Sequence, residues 1–157
     1  MEGLIRYAEP RDLEAINDLL RDVLKVHHDG RPDLFNEVGK KYTDDEILAI
    51  MADPKTPIFV YEKEGAVLGY AFCEFVKANS GSLKPITTLY LDDLCVSADA
   101  RGQGIGTALY GFVKSFAKEN GCYNVTLHVW ECNPGAVAFY ESLGLKRQYY
   151  SMESICE

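Results

Sequence analysis

The stretch VSADARGQGIG, residues 96–106, holds three glycines in its last five positions, with Arg101 directly before them. A strand-like segment (89–96) precedes this stretch, and apolar residues at helical spacing follow it. The start of a helix leaves about four backbone N–H groups without partners and carries partial positive charge, so it attracts anions. Glycine lets an anion approach the backbone because no Cβ intervenes, and arginine adds a permanent charge with two parallel donors. The stretch therefore predicts a phosphate-binding turn between a strand and a helix.

Two common nucleotide-binding motifs do not fit this turn. A Walker A loop requires Gly-Lys-Ser/Thr, whereas here Gly106 is followed directly by Thr107. A dinucleotide fingerprint requires GxGxxG, whereas the glycines at 102, 104 and 106 give GxGxG. The spacing excludes both motifs, and a glycine-rich turn that only permits tight packing is the structural alternative.

The pattern Arg-Gly-Gln-Gly-Ile-Gly after a strand resembles the acyl-CoA motif of the GNAT N-acetyltransferases. The segment NPGAVAFYESLGL (133–145) is similar to the second signature of that family, in which an asparagine opens a helix that carries a tyrosine and ends in glycine. The two signatures cover about residues 86–147. The resemblance implies an enzyme that transfers an acetyl group from acetyl-CoA to a primary amine of a small molecule or peptide, by direct attack in a ternary complex. A CoA-binding regulatory or interaction module without transferase activity is the alternative.

The resemblance also implies how the co-substrate is held. The backbone of the strand before the turn would hold the pantetheine arm, and the turn itself would bind the pyrophosphate. The cofactor-binding residues expected on this basis are Leu94, Cys95, Val96, Arg101, Gly102, Gln103, Gly104, Ile105, Gly106 and Asn133. The net charge of −8 does not oppose this, because charges farther away than a Debye length of about 8 Å are largely screened.

Composition sets the broad class of the protein. The 157 residues suit one domain, residues 1–157, with a cofactor-binding core at about 86–147 and an acceptor-selecting part at about 1–60. No apolar run approaches the roughly 20 residues that cross a bilayer, and the N-terminus does not resemble a signal peptide, so we expect a cytoplasmic protein without a membrane partner. The charge of −8 argues against nucleic-acid binding. A homodimer is compatible with the resemblance.

Metal and disulfide chemistry are disfavoured by the spacing of the ligand-type residues. The five cysteines are scattered without a CxxC pair, which predicts buried thiols and neither a zinc site nor a disulfide framework. His27, His28, Arg31 and Asp33 form a polar cluster in a segment (27–35) that is expected to end the first helix as a loop. We interpret this cluster as a solvated loop or as part of the acceptor site, and we expect no metal.

The order of the elements predicts an α/β fold with a mixed central sheet of six to seven strands and about four helices. Helical patterns begin at Pro10, after Thr43, near Gln103 or Gly104, and at Pro134. The predicted strands are 5–8, two strands within 57–76 joined by a turn at Glu64-Gly65, 86–96, 123–130 and the tail 145–153.

Tyr140 is the candidate general acid. It lies seven residues after Asn133, two helical turns into its helix, so that the two side chains share a face. Its position matches the family tyrosine that protonates, or hydrogen-bonds to, the CoA sulfur. A phenol with an ordinary pKa of about 10 stays protonated at neutral pH. The structural alternative is an aromatic ring that packs on the sheet.

Three residues are candidates for the general base. His128 lies five residues before Asn133, where some members of the family carry a glutamate base, and an imidazole titrates near neutral pH. Asp92 and Asp93 interrupt an apolar strand, and we expect them to point to opposite faces of the sheet, at a bulge. Either aspartate could bind a cationic acceptor, relay its proton, or pair with an arginine or a backbone amide to hold the strand splayed.

Overall fold

The computed structural model describes residues 2–157. Within this range the backbone forms one sheet of five strands in the order β1-β2-β3-β4-β5. The strands are β1 (Leu4–Tyr7), β2 (Ile58–Lys63), β3 (Ala66–Lys77), β4 (Thr87–Val96) and β5 (Asn124–Leu127). Pairing is antiparallel from β1 to β4, and β5 lies parallel to β4. The α-helices in the described range are α1 (Leu13–Gly30), α2 (Asp44–Ala52), α3 (Ile105–Glu119) and α4 (Pro134–Ser142), and short 3-10 helices lie at Pro10–Asp12 and Ala98–Ala100.

Local sequence signals explain where several of these elements begin and turn. Thr43 and Glu46 form the expected capping box at the start of α2, each side chain bonding to the backbone of the other. Pro134 opens α4 directly after Asn133, as predicted. Glu64 and Gly65 have φ values of 53° and 79°, the conformation of a tight hairpin turn that matches the twist of β2 and β3. These signals are short-range, and the structure confirms them.

Two apolar cores lie on opposite faces of the sheet. The α3 core packs α3 against the sheet and is centred on Phe59, Ala71, Leu89, Leu91, Leu109 and Val113. The α1–α2 core lies on the other face and is centred on Ile16, Leu20, Ile47, Val60, Tyr70 and Phe72. Neighbouring residues such as Phe59 and Val60 belong to different cores, because successive strand residues point to opposite faces.

A β-bulge in β4 interrupts this alternation. Phe72 is opposite Asp93 and Cys73 is opposite Leu91, so Asp92 is an extra residue without a partner on β3. Such an insertion shifts the alternation by one residue and bends the strand.

The shift keeps apolar residues in the α3 core on both sides of the bulge. Leu89 and Leu91 precede it, Leu94 and Val96 follow it, and all four pack in or against that core. Cys95 instead packs in the α1–α2 core. Strict alternation would have directed Leu94 and Val96 to the other face, so the bulge is required for β4 to remain apolar toward α3 along its whole length.

The predicted α/β class with a mixed sheet is confirmed, but the predicted number of six to seven strands is wrong. Residues 145–157 form no strand in the described structure, although the pattern of 145–153 predicted one. A segment becomes a strand only when its backbone groups pair with a neighbour, and this tail pairs with none of β1–β5. The segment 123–130 likewise pairs only over Asn124–Leu127.

The end of the first helix also differs from expectation. α1 continues through His27 and His28 to Gly30, whereas the sequence predicted that this segment is a loop. Histidines are tolerated in the last turn, where their side chains lie near the negative end of the helix dipole. Among residues 2–157, no helix combines the length and the apolar character needed to cross a membrane.

Candidate active site

The first feature of the site is the point where β4 and β5 separate. Their pairing ends at Leu91 opposite Leu127, while β4 continues for five more residues to Val96. On the side away from β3, residues 92–96 therefore have no strand partner within the described range. We call this segment the free edge of β4. It contains the predicted pantetheine-binding residues, Leu94 to Val96, and an unpaired edge of this kind can hydrogen-bond an extended ligand.

The second feature is the glycine turn, residues 101–106, which leads from the free edge into α3. Gly104 directly precedes the helix and provides no side-chain cap. The amide of Ala108 donates to the Gly104 carbonyl at 3.0 Å, as in the first turn of a helix. The N–H groups of Ile105, Gly106 and Thr107 therefore point out of the helix start, where an anion can bind them.

The three glycines of this turn serve two purposes. Gly102 and Gly104 have φ values of 80° and 78°, which L side chains rarely adopt. Apart from the residues adjacent in the chain, none of the described residues has an atom within 4 Å of where their Cβ atoms would lie. An added Cβ at Gly106 would lie 3.0 Å from Cζ of Phe139 and 3.7 Å from Cγ2 of Val96. Tight packing thus explains Gly106, whereas backbone conformation explains the other two and leaves open space beside them.

We expect Gly104→Ala to lower the free energy of unfolding by about 1–2 kcal/mol, because alanine is strained at a left-handed position. Gly111→Ala is the matched control, since Gly111 lies inside α3 and also has open space around its Cβ position among the described residues. That control should gain about 0.5–1 kcal/mol from better helix propensity. Urea unfolding measures both changes, and equal losses in the two variants would contradict the strain argument.

Arg101 lies at the entrance to the glycine turn. Its side chain is exposed, and its Nε donates to the carbonyl of Val96 at 3.4 Å. This bond places the guanidinium at the end of the free edge. The permanent positive charge therefore adds to the partial charge of the helix start.

Tyr140 lies half-buried on α4 and packs against the α3 core. Burial, and then the charge of Asp93, raise the pKa of its phenol above the ordinary value. Its side chain is therefore a proton donor at neutral pH. Asn133 caps the same helix by accepting a hydrogen bond from the amide of Ala136 at 3.2 Å, which fixes the start of the helix that positions Tyr140.

The bulge places both aspartates on the α1–α2 side of the sheet. Asp92 accepts hydrogen bonds from Nζ of Lys41 at 2.9 Å and from the hydroxyl of Tyr42 at 2.6 Å. Asp93 accepts one from the hydroxyl of Tyr70 at 2.7 Å. The expectation that they face opposite sides is wrong, because the extra residue resets the alternation between them.

The carboxyl of Asp93 has a pKa shifted from its ordinary value. Burial raises its pKa to about 6, although the hydrogen bond from Tyr70 and the positive charge of Lys41 act in the opposite direction. A carboxyl of this kind exchanges its proton near neutral pH, which suits a general base.

His128 lies just beyond β5 and is exposed. Its Nδ1 is 3.3 Å from the hydroxyl of Tyr90, and its Nε2 is 2.8 Å from the hydroxyl of Tyr149. Both ring nitrogens therefore have phenolic partners. This arrangement orients the imidazole between β4 and the C-terminal tail.

Sequence reasoning missed five residues that contact the candidates. Tyr70 and Tyr90 occupy strand positions that look like ordinary core positions, and nothing local marks the others, which lie in a loop and in the tail. The five are Lys41, Tyr42, Tyr70, Tyr90 and Tyr149. Only their convergence on β4 and β5 reveals them.

The polar cluster near the end of α1 does not form a joint site. Arg31 pairs with Asp33 and with Glu153 of the tail. The ring of His27 packs near Phe35, with centroids 5.0 Å apart. Among residues 2–157, no group of three or more metal-ligand side chains is arranged around a common point.

The cysteines only partly follow the prediction of buried thiols. Cys73 and Cys95 are buried, and burial raises the pKa of each thiol to about 12, so neither is a reactive thiolate at neutral pH. Cys122 and Cys132 are half-buried, whereas Cys156 is exposed, and the prediction is wrong for that residue.

Comparison with known proteins places these features in a family. The uncharacterized N-acetyltransferase MJ1207 of Methanocaldococcus jannaschii is 30% identical over 99 residues, which cover 63% of this chain and 43% of that protein. The thialysine N-epsilon-acetyltransferase of Bos taurus is 32% identical over 99 residues, which cover 63% of this chain and 51% of that protein. The chain thus spans about half the length of these relatives.

The fold is also shared over nearly the whole chain with a solved structure. The crystal structure of a mutant of the BH1408 protein from Bacillus halodurans has a TM-score of 0.94 and 28% identity, and the match covers 98% of this chain and 99% of that one. The model of the acetyltransferase (GNAT) family matches residues 14–145, which include the free edge, the glycine turn and α4. The chain therefore belongs to the acetyltransferase (GNAT) family.

Proposed function

We propose that residues 1–157 form one acetyl-CoA-dependent N-acetyltransferase domain that acts on the primary amine of a small molecule or peptide. The observation that carries the proposal is that the free edge of β4 is followed, after one short 3-10 turn (Ala98–Ala100), by the glycine turn at the start of α3. The pantetheine arm of CoA requires an extended edge such as the free edge, and its diphosphate requires an anion-binding turn next to that edge. In this proposal, residues of about 86–147 bind acetyl-CoA, and residues of about 1–60 select the acceptor. A cytoplasmic location and a homodimer remain predictions.

The described residues fit acetyl-CoA. The backbone of Leu94 to Val96 offers the pantetheine arm an edge without a strand partner, at the end of which the Val96 carbonyl accepts a hydrogen bond from Arg101. Residues 101–106 offer first-turn amides, open space and the Arg101 charge to the pyrophosphate. Asn133 acts on this side by fixing the start of α4. Acetyl-CoA supplies an activated acetyl thioester when bound.

Tyr140 and Asp93 are the residues to which we assign proton transfer. Asp93 takes the proton from the acceptor ammonium, because its pKa of about 6 leaves it ionised at neutral pH and yet a better base than an ordinary carboxylate. Tyr140 donates a proton to the departing sulfur, because its raised pKa keeps it protonated. After burial, the charge of Asp93 contributes to the raised pKa of Tyr140, which supports the assignment of both groups to one site.

Asp92 and His128 have other roles in this proposal. Asp92 is neutralised by Lys41 and held by Tyr42, so it shapes the acceptor side of the bulge. A small cavity of about 40 Å³ opens beside Asp92, lined in part by Tyr42 and Glu74. His128 is a positioning residue, since its two nitrogens bond to Tyr90 and Tyr149.

Binding of CoA and release of thiol from acetyl-CoA test the proposal together. We expect Arg101→Glu to weaken CoA binding about 10- to 100-fold by calorimetry, the range for loss of charge-assisted hydrogen bonds. Arg21→Glu on α1 makes the same change of charge at an exposed arginine paired with Asp18, and it should leave the CoA affinity unchanged. Unchanged affinity in Arg101→Glu would remove the glycine turn from the site. Saturable CoA binding, with no release of CoA thiol from acetyl-CoA in the presence of any amine of a panel, would favour the binding-module alternative.

A further inference from the structure

The side chain of Lys41 lies at the bulge of β4. Its ammonium is 2.9 Å from Oδ1 of Asp92, while the hydroxyl of Tyr42 donates to Oδ2 of the same carboxylate at 2.6 Å. Lys41 is 48% exposed and Asp92 is 19% exposed, so the ion pair is formed at the mouth of the site rather than inside the core. A primary amine of the chain itself thus occupies the acceptor side of the proposed active site.

The backbone next to Lys41 is held in place. The ring of Tyr42 stacks on Phe72 of β3, with centroids 5.6 Å apart and an interplanar angle of 12°. Thr43, the following residue, caps α2. Lys41 therefore precedes two anchored residues, and its side chain reaches the bulge from a defined position.

An acetyl-CoA molecule bound along the free edge would bring its acetyl group to the bulge of β4, where Lys41 lies. With the diphosphate on the glycine turn beyond Val96, an arm along the free edge would extend back toward Asp92. Asp92 lies four residue steps before Val96, a distance of about 13 Å along the strand. The far end of the arm, which carries the acetyl group, therefore points to the bulge.

We propose that Lys41 is an internal acetyl acceptor, so that the domain acetylates its own Lys41 when no other amine is present; this inference rests on the proposed function. Asp93 takes one proton from the Lys41 ammonium, and the neutral Nζ attacks the acetyl carbon. An amide C–N bond forms and the thioester C–S bond breaks. The sulfur leaves as the thiol with a proton from Tyr140, the second nitrogen proton restores Tyr140, and Asp93 releases its proton to water.

Lys40 provides an internal contrast. Its ammonium bonds to Asn17 and to Asp44, at the α1 and α2 side of the loop, and not to the bulge. Two adjacent lysines of the same loop thus differ in whether they face the proposed active site. Lys40 is also less exposed than Lys41, 17% against 48%, so chemical acetylation alone would favour Lys41 as well, and the test must separate the two routes.

Acetylation would also change the site. The amide of an acetylated lysine has no charge, so the ion pair with Asp92 would be lost while Tyr42 could still donate to the carboxylate. An unmodified Lys41 must be displaced by a cationic acceptor that binds Asp92, whereas an acetylated one would leave that carboxylate bonded to Tyr42 alone and without a cationic partner.

Mass spectrometry of the whole chain tests the inference. The protein is incubated with acetyl-CoA in the absence of any other amine, and its intact mass and its digested peptides are measured over time. We expect one acetyl group per chain, on Lys41, formed about tenfold faster or more than on Lys40 because of its proximity to the thioester. The rate should not depend on protein concentration, as expected for a reaction within one chain, and Tyr140→Phe should lower it; an unchanged rate in Tyr140→Phe would indicate chemical acetylation of an exposed lysine and overturn the inference. Lys41→Arg should abolish the main mass gain, and Lys40→Arg should retain it.

The same samples separate failure of this inference from failure of the proposed function. Acetyl transfer to added amines with Lys41 unmodified, or acetylation spread evenly over the lysines, would overturn the internal-acceptor proposal and leave the enzyme assignment standing. A rate that rises in proportion to protein concentration would overturn it as well. Absence of both CoA binding and thiol release would instead reject the function from which the inference starts.

Discussion

The Tyr140→Phe variant is expected to turn over acetyl-CoA about 100-fold more slowly than the wild type, or slower still, the range for loss of a general acid. This loss would come from the chemistry of the hydroxyl and not from the fold, because none of residues 2–157 forms a hydrogen bond with the Tyr140 hydroxyl, while its ring packs against the α3 core. Removal of the hydroxyl therefore leaves the packing of the ring on the α3 core intact. We expect the melting temperature and the CoA affinity of the variant to stay close to those of the wild type.

Tyr110→Phe is the matched control for this experiment. Tyr110 lies buried on α3, and burial alone raises its pKa, so its environment is similar but its position is not at the free edge. Its replacement should leave kcat nearly unchanged. Wild-type kcat in Tyr140→Phe would exclude the phenol as the proton donor, and equal losses in both variants would indicate a general effect on the fold.

The Asp93→Asn variant is expected to change activity and stability in opposite directions. Loss of the base should lower kcat/KM about 100-fold at pH 7.5. At the same pH the melting temperature should rise, because an ionised carboxylate with a pKa raised to about 6 is costly in the folded state and a neutral amide is not.

The sign of the pH dependence follows from the raised pKa of Asp93. Between the ordinary pKa of about 4 and the folded value of about 6, the folded state binds more protons than the unfolded state, so stability from this group falls as pH rises. The stability gain of Asp93→Asn should therefore shrink as pH falls toward 4. In the wild type, kcat/KM should fall as pH drops below about 6, as Asp93 becomes protonated.

Two further variants identify the base. Asp92→Asn removes a carboxylate that is paired with Lys41 and Tyr42, so it should lower stability and keep an acidic limb in the pH profile. His128→Gln should also keep that limb if Asp93 is the base. An acidic limb that persists in Asp93→Asn and disappears in His128→Gln would assign the proton transfer to the imidazole.

The parts of the site that could be predicted from sequence are those in which a few neighbouring residues determine the backbone. The glycine turn is one, because Gly102 and Gly104 adopt φ values that L residues rarely adopt. The first turn of α3, whose backbone N–H groups have no partner in the helix, follows directly. The start of α4 is another, since Asn133 caps it and Pro134 opens it. The spacing within that helix then positions Tyr140.

The tertiary structure decided what depends on pairing between distant segments. Whether residues 145–153 form a strand depends on a free partner edge, and the side to which Asp92 and Asp93 point depends on one unpaired residue in the register with β3. The contact of Lys41 with Asp92 joins residues 51 positions apart. By itself the sequence determined the glycine turn and the α4 helix, because their causes are local. The free edge, the bulge and the partners of the candidate base arose only on folding, because they require strand register and long-range contacts.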